Sequence, residues 1–157
     1  MVSWGAFCEL EPGLAEQTLL RFDAHRHKTI ATLRADGSPR ISGIEVVLRD
    51  GEVWLGGMPG SVKFRDLRRD PRIAVHSGSD EPEQWQGDAK LAGTAIEVFE
   101  PATLSAFAAA QEAPPGDFEL FRLDLTEVVT VSLAKSGDHL VIASWHTGFG
   151  VRRVERR

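Results

Sequence analysis

A chain of 157 residues with a formal net charge of −5 and a pI near 5.5 is long enough to bury one sizeable core. It has the wrong sign of charge for a dedicated nucleic-acid binder, whose affinity rests on basic patches. Its single cysteine, Cys8, excludes an intrachain disulfide. No apolar run approaches the roughly 20 residues that span a bilayer, and the opening MVSWGAFCELEPG lacks the basic start and apolar centre of a secretory leader. A cytoplasmic protein with neither membrane nor nucleic acid as partner is expected.

The first helix is expected over EPGLAEQTLLRFDAHRH, where Leu14, Thr18, Leu19 and Phe22 recur at helical spacing. His25 and His27 would then sit near its end, favourably placed for the negative end of the helix dipole. The period changes to alternation in KTIATLRAD, and DGSP turns the chain. RISGIEVVLRDGEVWLGG reads as a hairpin about Asp50–Gly51. A helix follows in SVKFRDLRRDP, with Val62 and Leu67 as its apolar contacts and Pro71 stopping it.

RIAVHS is a short strand and GSDEPEQWQGD a polar surface loop. AKLAGTAIEVFE is a strand whose internal Gly93 signals a bulge or a close backbone approach. PATLSAFAAAQE is a helix with Pro101 in its first turn, ended by APPGD. FELFRLDLTEVVTVSLAK is one long strand or two, with Phe121, Leu123 and Leu125 on one face; SGDH turns, LVIASWHT is a strand, and GFGVRRVERR closes the chain. About seven strands and three helices, with neighbouring strands joined by hairpins and no linker or repeat, predict a single mainly β domain over residues 1–157: an antiparallel β-barrel with a few helices.

The stretch GGMPGSVKFRDLRRDP raises the chemical question. Gly60 permits a backbone shape that other residues resist, and Ser61 is a natural N-cap. The free amides of a helix start, with Lys63 and Arg65 beside them, suit a phosphate. It is neither a Walker A loop nor a dinucleotide fingerprint, so a plain capped helix competes with an anion site. Elsewhere, His25 and His27 lack a third metal ligand nearby, and no metal is expected. Cys8 lacks a neighbouring base. His76 and His146 sit on strands. Glu45, amid apolar residues, faces either solvent or a pocket. Trp145 fills the core or stacks on a flat ligand. The tail RRVERR binds an anion, meets a partner subunit or is solvated.

The ordered run TIATLRADGSPRISGIEVVLRDGEVWLGGMPGSVKFRDLRRDPRIAV, continued by GDAKLAGTAIEV, resembles the flavin-binding split-barrel family that includes pyridoxamine 5′-phosphate oxidase. Its size and DLRRDPR helix look more like that family's flavin and deazaflavin oxidoreductases. The resemblance implies a six-stranded antiparallel Greek-key split barrel, working as a homodimer with two flavin sites at the subunit interface. It implies FMN as cofactor and hydride transfer to or from a small-molecule substrate. The backbone of Ser42, Gly43, Ile44 and Glu45 would lie against the flavin ring, with Gly56 and Gly57 touching it too. Ser61 and Lys63 would hold the phosphate, and Asp66 matches a polar position near the ligand. Many members carry an arginine at the position of Ser61 or Val62; here Arg65 or a tail arginine would compensate. Gly56 and Gly57 replace bulkier residues and would leave room for a larger cofactor tail. The alternative cofactor is the deazaflavin coenzyme F-420, whose phosphate and polyglutamate tail would need a basic groove of Lys63, Arg65 and Arg68. A non-enzymatic flavin or haem carrier would draw an axial ligand from His76 or His146. No residue is assigned as catalytic.

Overall fold

The hydroxyl of Ser3 accepts a hydrogen bond from the amide of Ala6 at 3.2 Å and so caps a helix, α1 (Trp4–Leu10), which buries Trp4 and Phe7. The computed structural model describes residues 1–113 and 116–157. The sequence reading places no element at α1, because seven residues are too few to display a helical period. Helix α2 (Pro12–Asp23) buries Leu14, Thr18 and Phe22 as expected. It stops at Asp23, so His25 lies in the connection and His27 opens β1 (His27–Leu33). Neither histidine stands at a helix end.

Strands β2 (Pro39–Arg49) and β3 (Glu52–Gly57) form the expected hairpin. Its corner, Asp50 and Gly51, has φ of 54° and 77°, the pair of positive angles that lets a two-residue turn follow the strand twist. Helix α3 (Val62–Arg69) follows. Phe64 and Leu67 are its buried apolar residues, whereas Val62, expected as a contact, is 41 % exposed. Then come β4 (Arg72–His76), β5 (Asp88–Glu97), α4 (Pro101–Ala110), β6 (Glu119–Leu133), β7 (Leu140–His146) and β8 (Gly150–Arg156). The two prolines of the expected APPGD stop lie outside the described residues. The eighth strand, β8, falls in the charged tail, whose missing alternation of apolar residues hid it.

Every strand pair is antiparallel, in the order β3-β2-β1-β4-β5-β6-β7-β8 with a further β3–β6 pairing. That pairing joins Trp54 to Arg122 and Gly56 to Leu120, and it closes β1 to β6 into the six-stranded barrel. Within it, β4 returns to lie beside β1 and gives the spatial order 4-1-2-3 of a Greek key. Strand β6 is one element of 15 residues. It is long enough to pair with β3 and β5 in the barrel and, further along, to carry the β7–β8 hairpin.

The barrel interior is filled by Ile30, Val53, Leu55, Leu91, Leu123 and Leu125, none of them measurably exposed. Burying each stabilises the fold by about 1.5–3 kcal/mol. At Gly93 the β5–β6 register shifts, and an added Cβ would stand 1.9 Å from the carbonyl oxygen of Asp124. The bulge and the close approach are therefore both present. No described helix is long and apolar enough to cross a membrane.

Candidate functional site

Strand alternation sets the site. On β2, Ile44, Val46 and Leu48 are buried in the barrel, while Gly43, Glu45 and Val47 look outward. β3 sets Gly56 opposite Glu45 and Trp54 opposite Val47. The outward faces of these strands make a floor, and the apolar helix α4 stands over it. None of the residues of α4 is fully buried, and from it Phe107 borders a cleft. That cleft is about 530 Å³, bordered by His27, Gly43, Glu45, Gly56, Lys63, Phe107, Gln111 and Phe118 among others. This volume lies within the roughly 300–1,000 Å³ of cofactor and ligand clefts.

Of the residues singled out in the sequence, Gly43, Ile44, Glu45, Gly56, Gly57 and Lys63 border this cleft together. Over Gly43 an added Cβ would meet nothing within 4 Å, so the floor is open there. Over Gly56 it would meet the Phe107 ring at 3.2 Å, and over Gly57 the Phe64 ring at 3.0 Å. The expectation that these two glycines leave room for a larger cofactor tail is thus corrected: the protein's own aromatic rings use the space. Glu45 faces the cleft, and its Oε1 accepts from Arg26 Nε at 2.9 Å. Lys63 makes no ion pair among the described residues; its ammonium lies 5.4 Å from the centre of the Phe64 ring.

Ser61 occupies the N-cap position of α3 with extended backbone, but its hydroxyl makes no capping bond. The Oγ atom is buried and has no hydrogen-bond partner among the described residues, and Ser61 does not border the cleft. Ser42 has the inward parity of Ile44 and does not border the cleft. Arg65 and Asp66 also lie away from it, on the other flank of α3 in a second cleft. Arg68 lies over the Phe121 ring and pairs with Glu97 and Glu119. Lys63, Arg65 and Arg68 therefore point three ways around one helix, and the single basic groove expected for a deazaflavin tail is not assembled. Arg152, Arg153 and Arg156 stand on β8, which pairs with β7, Arg157 follows it, and none of the four borders the main cleft.

Asp66 is 2 % exposed and tied on three sides. Its Oδ2 accepts from Thr32 Oγ1 at 2.8 Å and Arg40 Nε at 2.7 Å, and its Oδ1 from an Arg69 terminal nitrogen at 2.8 Å. Burial pushes the carboxyl up, but the bonds from Arg40, Arg69 and Thr32 outweigh it and hold it at about 2. It anchors α3 to β1 and β2.

His25 Nε2 pairs with Asp80 at 2.9 Å, and His76 and His146 lie beside Asp88 and Glu127, away from the cleft. Burial pushes the Cys8 thiol up, which disfavours the reactive thiolate. Trp145 is 4 % exposed and meets Phe7 edge-on at 5.0 Å between ring centres, so it belongs to the core. The sequence reading missed Met58, Phe107, Gln111 and Phe118, and weighed His27 as a metal ligand rather than as a residue of this cleft. The usable signal was helix α4: a strongly apolar segment without a clear polar face.

A closed six-stranded antiparallel barrel, with an apolar cleft on its outer wall and a lysine at the cleft's edge, defines a split barrel. The profile described as pyridoxamine 5′-phosphate oxidase matches residues 14–132, and the chain belongs to that family. No curated protein matches the chain. Among solved structures, the chain is similar to a pyridoxamine 5′-phosphate oxidase-related, FMN binding protein of Nostoc punctiforme. That likeness has a TM-score of 0.65 and 14 % identity, over 94 % of this chain and 96 % of that one. HutZ, the heme storage protein of Vibrio cholerae, matches with a TM-score of 0.57 and 22 % identity over 74 % and 89 %. A protein of unknown function from Agrobacterium tumefaciens matches with a TM-score of 0.59 and 18 % identity, over 76 % of this chain but only 56 % of its own length. At these identities the likenesses show the shared fold.

Proposed function

We propose that the protein is an FMN-dependent oxidoreductase that moves a hydride to or from a small molecule held in the cleft outside β2 and β3. One observation carries the reading. Beside an open floor at Gly43, the start of α3 sets on the cleft's border a lysine with no ion-pair partner among the described residues, and two residues before it, outside the cleft's lining, the buried Ser61 Oγ has no hydrogen-bond partner among the described residues. A buried unpaired hydroxyl costs about 1–3 kcal/mol, and a phosphate oxygen relieves that cost. The residues present therefore fit FMN.

Lys63 and Ser61 would hold the phosphate, and the strand backbone at Gly43, Ile44 and Glu45 would support the ring. FMN, when bound, supplies the hydride chemistry. The chain's own work is placement and shielding. Phe107 and Phe118, 5.9 Å apart between ring centres, wall the cleft with apolar surface that would shield a bound ring. Arg26 orients the Glu45 carboxylate at the cleft wall. Strand amides beside the ring would stabilise developing negative charge.

The test is a fluorescence titration with FMN, with coenzyme F-420 as competitor. Saturable FMN binding is expected, weakened about tenfold or more by Lys63→Ala, since a charge-assisted phosphate contact contributes about 1.5–3 kcal/mol. Absence of saturable binding overturns the reading. A second reading, a haem carrier, is supported by one observation: His27 borders the cleft, whereas His76 and His146 do not. It requires a Soret band on adding hemin that is lost in His27→Ala.

A further inference from the structure

We propose that the second cleft, between the β1–β2 turn and the outer flank of α3, is an anion site separate from the flavin cleft, and that it takes a small polyanion bearing phosphate or carboxylate groups. This cleft is about 470 Å³, and its lining includes Arg34, Asp36, Arg40, Arg65, Asp66 and Arg69. Four guanidinium groups face two carboxylates, on a chain whose overall charge is −5. The two carboxylates are already engaged. Asp66 accepts from Arg40, Arg69 and Thr32, and Asp36 Oδ1 accepts from the Ser38 amide at 2.9 Å and the Ser38 hydroxyl at 2.6 Å.

The arginines keep donors to spare. Arg40 uses only Nε, on Asp66. Arg34 uses one terminal nitrogen, on Pro39 and Ser38. Arg69 uses one terminal nitrogen, on Asp66 and on the Leu33 carbonyl at 2.6 Å. Arg65, exposed at the cleft's edge, donates no hydrogen bond and makes no ion pair among the described residues. Each guanidinium carries five N–H donors in a planar fork that matches phosphate and carboxylate oxygens. Buried Asp66 fixes two of the forks in advance, so less side-chain freedom is lost when an anion binds. Excess positive charge held in one concavity raises the local concentration of anions.

The first turn of α3 separates this cleft from the other: Lys63 borders one, Val62 and Arg65 the other. This proposal does not depend on the flavin reading.

Isothermal titration at low salt with inorganic pyrophosphate and with citrate tests it, on the wild-type chain, Arg65→Ala, Arg34→Ala/Arg65→Ala and Lys63→Ala. Saturable binding of at least one anion is expected. It should weaken about tenfold or more in Arg34→Ala/Arg65→Ala, as loss of charge-assisted bonds implies, and persist in Lys63→Ala. Preference for pyrophosphate assigns the ligand's charge to phosphate, preference for citrate to carboxylate. Both arginines are exposed, so the variants should match the wild type in circular dichroism, and the single Arg65→Ala change gives the same direction without touching any internal bond. Absence of binding by either anion overturns the proposal. So does binding that survives loss of both arginines and disappears with Lys63, which would place the anion in the flavin cleft.

Discussion

Asp66 shows how one side chain can be read correctly in kind and wrongly in place. In KFRDLRR five of the seven residues are charged, so spacing does not reveal which charge turns inward. The structure buries Asp66 between Thr32, Arg40 and Arg69, and a polar position expected near the ligand becomes the anchor of a helix. Its carboxyl, held at about 2 against an ordinary 3.8, is depressed in the folded state. The stability it adds is complete above pH 3.8 and is lost as the pH falls toward 2. Asp66→Asn should lower stability at neutral pH by about 1–3 kcal/mol in urea denaturation. The loss stays below the ~3–5 kcal/mol of a fully buried pair because both arginines reach solvent. The gap between wild type and variant should narrow as the pH drops below 3.8; a gap that stays constant would show that the carboxylate's charge is not what matters. The glycine turn followed by serine and lysine marked Lys63 for attention, and the structure sets it on the cleft's border. The Ser61 hydroxyl differs only in its partner: it sits at the cap without bonding the helix.

Two glycines separate what an element needs for folding from what it offers a ligand. At Gly93 any side chain would drive into the backbone of Asp124, with the added carbon at 1.9 Å, and neither strand can yield without breaking the ladder. Gly93→Ala should cost at least about 3 kcal/mol in urea denaturation. At Gly43 there is open space, so Gly43→Ala should leave stability within about 0.5 kcal/mol and act on FMN affinity instead. A large stability loss there would mean that the floor is already packed. Gly93 was readable because a glycine inside a strand pattern needs a reason. The Asp50–Gly51 hairpin was readable because few residues tolerate its angles. Helix α1 was hidden because its burial comes from two aromatic residues three positions apart rather than from a repeating stripe. The role of α4 was hidden for a related reason: hydrophobic content announces burial, but not whether the neighbour is the core or a cleft.

The barrel order followed from hairpin adjacency and from a family resemblance spread over most of the chain; the wall on which the cleft opens did not, because strand alternation names two faces without saying which is roofed. The family resemblance implies a homodimer, and two exposed apolar side chains are where that expectation can be tested: Ile41 is 76 % and Met58 81 % exposed, the first two residues from Gly43 on the same strand face and the second on the cleft's border. Light scattering after gel filtration should give twice the 17.2 kDa chain mass, and Ile41→Glu should shift it toward the monomer. A wild-type monomer would leave these side chains without that purpose. Closure of the barrel also sets an order of events during synthesis. Trp54 must wait for Arg122, so a ribosome has made most of the chain before the sheet can seal. Until then β3 and β5 each carry an unpaired edge, and contacts so distant in sequence form slowly. The nascent chain passes through a window in which its own edges compete with one another and with those of neighbouring copies, and the long strand β6 ends that window by pairing with both.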